Sequence, residues 1–144
     1  MVLISLDDIV AAARIGNTSL LQQCTPDDVA HIDINQYTKY KYEDEDDQGI
    51  NQNVTVLHIA AKSDHDTFIT ALYKLFGDTI DVDARDNDDY TPLLIAVRYG
   101  CVDCITTLHA CFGNKINCNA IDKFQLNTLM VADCFGNGDW ITTL

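Results

Sequence analysis

Ile105-Thr106-Thr107-Leu108 recurs letter for letter as Ile141-Thr142-Thr143-Leu144, 36 positions on, and with one change as Ile69-Thr70-Ala71-Leu72, 36 positions back. A fixed offset of this size marks stacked supersecondary units and constrains the fold more than any other property of the chain. The same offset aligns Thr91-Pro92-Leu93-Leu94-Ile95-Ala96-Val97 with Thr55-Val56-Leu57-His58-Ile59-Ala60-Ala61 before it and Asn127-Thr128-Leu129-Met130-Val131-Ala132 after it. Ile80-Asp81-Val82-Asp83-Ala84 likewise maps onto Ile116-Asn117-Cys118-Asn119-Ala120. Three units stand in register without a gap.

The N-terminal segment joins at a larger offset. Ala12 aligns with Ala60 and Ile32 with Ile80, both 48 apart, which is 36 plus 12. The extra dozen is the stretch Tyr37 to Gln48, three tyrosines and two lysines followed by an acidic run. The chain therefore divides into a capping unit at 1–36, an acidic insertion at 37–49, units at 50–85 and 86–121, and a shorter fourth unit at 122–144.

Each unit reads as a helix pair. Leu93, Ile95, Ala96 and Val97 make one short apolar helix, with Thr91 as N-cap and Pro92 at the first helical position, where no N–H is needed. Gly100 supplies the reversal after it. Ile105 and Leu108, with Ala110 and Cys111 beyond, form the apolar face of a second helix. Asp86-Asn87-Asp88-Asp89 is turn chemistry and projects from the pair. In the first unit the outer helix is cut at Cys24-Thr25-Pro26-Asp27-Asp28, a fresh cap with Pro behind it. One such pair cannot bury its own apolar face; stacked neighbours can.

The string Asp86-x-x-x-Tyr90-Thr91-Pro92-Leu93-Leu94-Ile95-Ala96-x-x-x-Gly100 resembles the ankyrin repeat, as do Thr55-x-Leu57-His58-Ile59-Ala60-Ala61 and the Ile-x-Val/Cys-Asp/Asn-Ala-x-Asp closings. The resemblance covers essentially the whole chain. It implies an all-α fold, an α-solenoid of ankyrin-like repeats, each a β-turn tip plus an antiparallel helix pair. The unit departs from the common length of about 33, and the surplus falls between Leu72 and Ile80 and between Leu108 and Ile116, in the outer helices or the turns after them. By the same resemblance His58 holds the turn of its own repeat.

Charge narrows the partners. The net charge is −13, from 22 acids against 9 bases. Such a surface repels phosphate backbones and anionic headgroups, which argues against nucleic acid and membrane, and it steers in a protein with a basic surface. The start, Met1 to Asp8, has acids where a signal peptide needs cations, and no apolar run is long enough to span a bilayer. A cytoplasmic or nuclear protein with reduced thiols is expected. The fourth unit stops at Leu144 without a polar cap, so the chain is expected to be the front of a longer protein or a clipped piece.

Other chemistries fail on their own requirements. Asp44-x-Asp46-x-Gln48-Gly49 begins like a calcium loop, but position twelve is Thr55 where a bidentate Glu is needed. The run reads instead as a solvated loop, or as a hook in which Tyr37, Tyr40 and Tyr42 meet a basic groove. Cys101-x-x-Cys104 has His109, Cys111 and Cys118 downstream but no second pair to complete four ligands, and its positions are Phe68 and His65 one unit earlier. Gly136-Asn137-Gly138 lacks a third glycine and a preceding strand, so it cradles no phosphate. His31, His58, His65 and His109 have no nucleophile beside them. The protein is therefore read as not an enzyme, without metal, cofactor or small-molecule substrate.

What remains is surface. By resemblance to ankyrin stacks, partners dock on the concave side, formed by the turn tips and the inner helices. Carried over by position, that side comprises Arg85, Asn87, Asp88 and Tyr90 in the third turn and Ile121, Lys123, Phe124 and Leu126 in the fourth. Lys62-Ser63, Arg98-Tyr99 and Cys134-Phe135 follow on the inner helices. Tyr99 with Phe135, and Tyr90 with Leu126, are each 36 apart and predicted to stack as an exposed stripe, the material of interface hot spots. The function expected is a non-catalytic protein–protein interaction scaffold. The alternative is the regulatory or targeting front of a larger enzyme or transcription regulator.

Overall fold

The computed structural model describes residues 3–41 and 51–130. Its helices come in inner and outer rows. The inner row is α1 (Leu6–Ile15), α3 (Val56–Lys62) and α5 (Pro92–Arg98); the outer row is α2 (Thr18–Gln22), α4 (Asp66–Phe76) and α6 (Val102–Phe112). Within each row, neighbours in the stack pack on one another: α1 on α3, α3 on α5, α2 on α4, α4 on α6.

Local chemistry starts and stops each helix. Thr91 Oγ1 accepts the Leu94 N–H at 3.2 Å, and Pro92 occupies the first helical position as expected. Ser5 and Asp8 make a reciprocal capping box on α1. Thr25 and Asp28 do the same for the 3₁₀ turn Pro26–Val29, which replaces the rest of the short outer helix. The inner-to-outer reversals use Gly16 (φ 73°) and Gly100 (φ 68°). Asp64 holds the equivalent place at φ 58°, a conformation Asp tolerates better than most side chains.

The registers read from the period are core positions. Ile69 and Ile105 are fully buried, with Leu72 and Leu108 beside them. Ala12, Ala60 and Ala96 line up along the inner row, where a small side chain lets helix backbones approach closely. Phe68 and Cys104 occupy the same position in successive outer helices, both fully buried. Burying a side chain such as Phe68 or Leu72 is worth roughly 2 kcal/mol each. The outer-helix face differs from expectation at one place. Ala110 is exposed, and the apolar face of α6 continues through buried Phe112, which meets the Tyr73 ring edge-on at 5.2 Å. The helical period sets Phe112 four residues past Leu108, on the same face, and puts Ala110 off it.

The three surplus residues per unit are one extra turn. Gly77–Thr79 and Gly113–Lys115 are 3₁₀ turns appended to α4 and α6, each entered through a glycine at positive φ. Each unit then closes on an Asx turn, in which Asp33, Asp81 and Asn117 accept the N–H of Asn35, Asp83 and Asn119. These closings are stitched together. Asn35 donates to the Thr79 carbonyl and accepts from Asp81 N–H, both at 2.7 Å, and Asp83 accepts from Asn117 N–H at 3.0 Å.

The insertion brings the largest departure from a plain loop. Its flanks form a two-stranded antiparallel ribbon, β1 (Thr38–Lys41) with β2 (Asn51–Val54), Thr38 opposite Val54 and Lys41 opposite Asn51. The second unit's tip is thus a strand pair running past the expected end of the insertion at residue 49. The acidic run, with Tyr42, lies outside the described residues.

Candidate partner-binding surface

The third and fourth tips are built alike. Asp86 Oδ1 accepts the N–H groups of Asp88 and Tyr90, both at 2.9 Å, and Asp122 Oδ1 accepts those of Phe124 and Leu126 at 2.8 and 3.0 Å. Asp89 and Gln125 turn the chain at positive φ. Burial pushes the Asp86 carboxyl up to about 6, against the two N–H donors that favour its ionised form.

Side chains then tie one tip to the next. Arg85 Nη1 donates to the Ile121 carbonyl at 2.6 Å and to that of Asp89 at 3.3 Å, while the Arg85 N–H donates to Tyr37 Oη at 3.2 Å. The Lys123 N–H donates to the Asp88 carbonyl at 2.9 Å, and its ammonium lies 2.6 Å from Asp88 Oδ1. Tyr37, Arg85 and Ile121 are one position in three successive tips, so a single column braces the row.

His58 anchors this row from below. Its Nε2 lies 2.8 Å from the Tyr90 carbonyl, and its Nδ1 accepts the Thr55 N–H at 3.1 Å. It was expected to hold the turn of its own repeat; it caps its own helix and reaches across to the next repeat's tip. The reason is placement: the ring is fully buried between two units, within reach of the Ala84 backbone that closes its own repeat and of the Tyr90 carbonyl in the next. Burial lowers the imidazole to about 4, so the ring is neutral at pH 7 with its proton on Nε2.

Of the inner row, α3 and α5 show little of themselves. Val56–Ala61 and Pro92–Val97 are buried throughout, and only Lys62-Ser63 and Arg98-Tyr99 reach solvent in part. There the side chains interleave. Lys62 Nζ lies 4.5 Å from the Tyr99 ring centroid, and the Arg98 guanidinium carbon is 5.2 Å from Tyr99 and 5.3 Å from Tyr90. Phe124 is 64% exposed with Lys123 Nζ 5.1 Å from its ring, and Ile121 stands half open beside it.

Most of the expected site residues therefore do gather: Arg98, Tyr99 and Tyr90 in one cluster, Arg85, Asp88, Lys123 and Phe124 in the tips next to it. Asn87 is exposed at the third tip, and Leu126 packs half-buried on the core. Phe135 and Cys134 lie outside the described residues. Tyr90 needs a correction. It is only 4% exposed, because its ring fills the space beneath the tip under Arg98, and burial pushes its hydroxyl up to about 12. It supports the surface and is not part of an exposed stripe.

A helix pair per unit, braced tips and a His joining adjacent units agree with comparison to known proteins. A family model described as ankyrin repeats, in three copies, matches residues 9–122. The chain belongs to the ankyrin repeat family. No curated protein matches it significantly. Among solved structures it is similar to a chain of "Crystal Structure of the Yeast Ribosomal Protein Rps3 in Complex with its Chaperone Yar1", with a TM-score of 0.69 and 18% identity, covering 96% of this chain and 89% of that one. At that identity the likeness concerns the fold.

The ankyrin architecture also accounts for the cysteines. Cys101 takes the place of His65 one repeat earlier, and both reach back to the end of the preceding inner helix: His65 Nε2 to the Arg14 carbonyl at 3.2 Å, Cys101 Sγ to that of Lys62 at 3.8 Å. Burial pushes the Cys101 thiol up to about 11 and Cys104 higher still. Among the described residues no three His, Cys, Asp or Glu side chains converge as a metal site, and no helix is long and apolar enough to cross a membrane.

Lys62 and Arg98 were expected on this side, but not that Arg14 extends them. Arg14, Lys62 and Arg98 stand in the last turns of α1, α3 and α5 and occupy a single position at offsets of 48 and 36. The offsets alone could have found this column of cations. Locally each of the three is an ordinary helix C-terminal charge.

Proposed function

We propose that this ankyrin domain is a non-catalytic module that binds a partner protein on the surface formed by its third and fourth tips and the ends of its inner helices. Ankyrin repeats are protein–protein interaction modules, and the Yar1 of the similar structure is named as the chaperone of a ribosomal protein. The observation that carries the reading is the clamping of the half-buried Tyr99 ring between Lys62 and Arg98 of successive repeats, with Phe124 exposed in the fourth tip. Aromatic and Arg side chains fixed before binding lose little conformational entropy on contact, which is how hot spots form. The contact residues are Arg85, Asn87, Asp88, Arg98, Tyr99, Lys123 and Phe124, with Tyr90 beneath them and Leu126 at the edge.

The experiment is affinity capture from lysate with the parent and a Tyr99→Ala/Phe124→Ala double variant. The variant is expected to fold and to lose the partners the parent retains. A variant that keeps every partner removes this surface from consideration.

A further inference from the structure

The terminal units of a repeat stack ordinarily turn a polar face to solvent. The first unit of this chain departs from that. Helix α1 buries Ile9, Ala12 and Ala13 on one side, and on the other Asp7, Val10, Ala11 and Arg14 line one open groove with Ile15. Val10 is half-buried and Ala11 exposed. Leu3 and Ile15 flank the helix at its two ends, 89% and 69% exposed. The open face is thus apolar at its centre and margins, with one acid and one base between.

Those two charges are placed symmetrically. Asp7, Val10, Ala11 and Arg14 follow the spacing i, i+3, i+4, i+7 and so form a single strip along the helix. The midpoint of the strip falls between Val10 and Ala11, and the opposite charges stand one turn to either side of it. At a rise of about 1.5 Å per residue they are about 10 Å apart along the axis.

We propose that this strip is the contact between two copies of the chain, related by a twofold axis beside the Val10–Ala11 midpoint. A twofold contact must be self-complementary, since a residue that meets a second is met by it in return. Two antiparallel α1 helices centred there set Asp7 of each copy level with Arg14 of the other, and Val10 and Ala11 of both copies meet at the axis. A parallel pairing would set Asp7 against Asp7 and Arg14 against Arg14. Val10 and Ala11 are small enough for the helix axes to approach to about 8 Å. Arg14 also makes a contact within its own chain. A guanidinium has several N–H donors, so the carboxylate of the other copy adds to that contact and need not displace it. Two copies of net charge −13 repel one another as wholes. The apolar centre therefore supplies the attraction, and the ion pairs set the register. One helix pair is a small interface, which makes the dimer weak and dependent on concentration. It lies two units away from the third and fourth tips, so each dimer offers two copies of the surface proposed above.

The test is sedimentation equilibrium of the full chain over a hundredfold range of concentration at physiological salt. The parent is expected to show a reversible monomer–dimer equilibrium. Asp7→Arg and Arg14→Asp each set like charges together and are expected to weaken the dimer tenfold or more. Mixed in equal amounts, these two variants are expected to associate with each other, because every Arg then meets an Asp. The double variant Asp7→Arg/Arg14→Asp is expected to dimerise like the parent, and so is Lys74→Glu on the outer helix α4. Circular dichroism on each variant separates lost association from lost folding. If a single variant unfolds, Ala11→Glu takes its place; it sets two carboxylates at the axis and is expected to abolish the dimer. A parent that stays monomeric at every concentration overturns the inference. So does a dimer that the charge reversals leave intact, or that Lys74→Glu weakens equally. Two folded single variants that fail to associate on mixing overturn it as well.

Discussion

His58 Nε2 lies 2.8 Å from the carbonyl oxygen of Tyr90, 32 residues on, and so joins the inner helix of one repeat to the tip of the next. Both partners are buried, and the same ring caps α3 through the Thr55 N–H. Truncating it strands a carbonyl and an N–H away from water. His58→Ala is expected to destabilise the domain by about 2–4 kcal/mol, read as a lower urea midpoint at unchanged slope. A loss below about 0.5 kcal/mol would show that the joint is replaceable.

Tyr90 is held by titratable groups at both ends of its backbone: its carbonyl by His58 and its N–H by Asp86. The two respond oppositely to pH. His58 falls from 6.5 to about 4 on folding, so its contribution is complete above pH 6.5 and is lost as the pH drops toward 4. Asp86 rises from 3.8 to about 6, so its contribution is complete below pH 3.8 and is lost as the pH climbs through 6. Asp86→Asn keeps the Oδ1 acceptor and cannot ionise. It should be more stable than the parent at pH 7 by about 1–2 kcal/mol and should lose stability more steeply on acidification from 6.5 to 4. Chemical denaturation at pH 7, 5.5 and 4.5 decides; equal stability at pH 7 would mean that Asp86 ionises in the fold without penalty.

Gly16 is constrained twice. Its φ is 73°, and a Cβ built there would sit 2.6 Å from Nδ1 of His65, whose Nε2 holds the Arg14 carbonyl. Gly16→Ala must strain the backbone and push that ring out of its hydrogen bond. A cost of about 1–3 kcal/mol is expected. His65→Ala should relieve part of it in the double variant, which a double-mutant cycle measures.

Arg85 braces the third tip against the fourth by its 2.6 Å bond to the Ile121 carbonyl. The bond is exposed, so Arg85→Ala should change global stability by less than about 1 kcal/mol. It should loosen the fourth tip locally, seen as faster hydrogen exchange over residues 121–126 with α3 and α5 unaffected. Unchanged exchange there would leave the backbone bond from Lys123 to Asp88 as sufficient.

The thiols should separate by burial. Cys118 is exposed, whereas Cys101 and Cys104 are buried with their thiols held protonated well above neutrality. At pH 8 iodoacetamide is expected to modify Cys118 quickly and Cys101 and Cys104 only at the rate of unfolding, by mass spectrometry of digests. Rapid labelling of Cys101 would contradict its placement against the Lys62 carbonyl.

The offset of 36 was enough to place Ile69 and Ile105, Leu72 and Leu108, the cap at Thr91, the reversal at Gly100 and the tip at Asp86. These are local or periodic facts. A helix start depends on the residues within one turn of it, and a stacked core repeats its own register, so both are written along the chain. The surface was legible in outline for the same reason, since equal offsets put Arg85 beside Ile121 and Arg98 beside Lys62.

The tertiary structure decided what those neighbours do with one another. Tyr90 is aromatic and sits in a tip, but whether it faces solvent depends on Arg98 above it and Asp122 beside it, two elements away. His58 serves its own repeat through Thr55, and only the folded stack brings the Tyr90 carbonyl of the next within its reach. Composition counts every carboxylate alike, while the fold buries Asp86 and Asp122 beneath the tips and pairs Asp88 with Lys123. Periodicity in sequence determines which residues become neighbours; desolvation and partner geometry, which exist only once the units stack, determine which of them still meet the solvent.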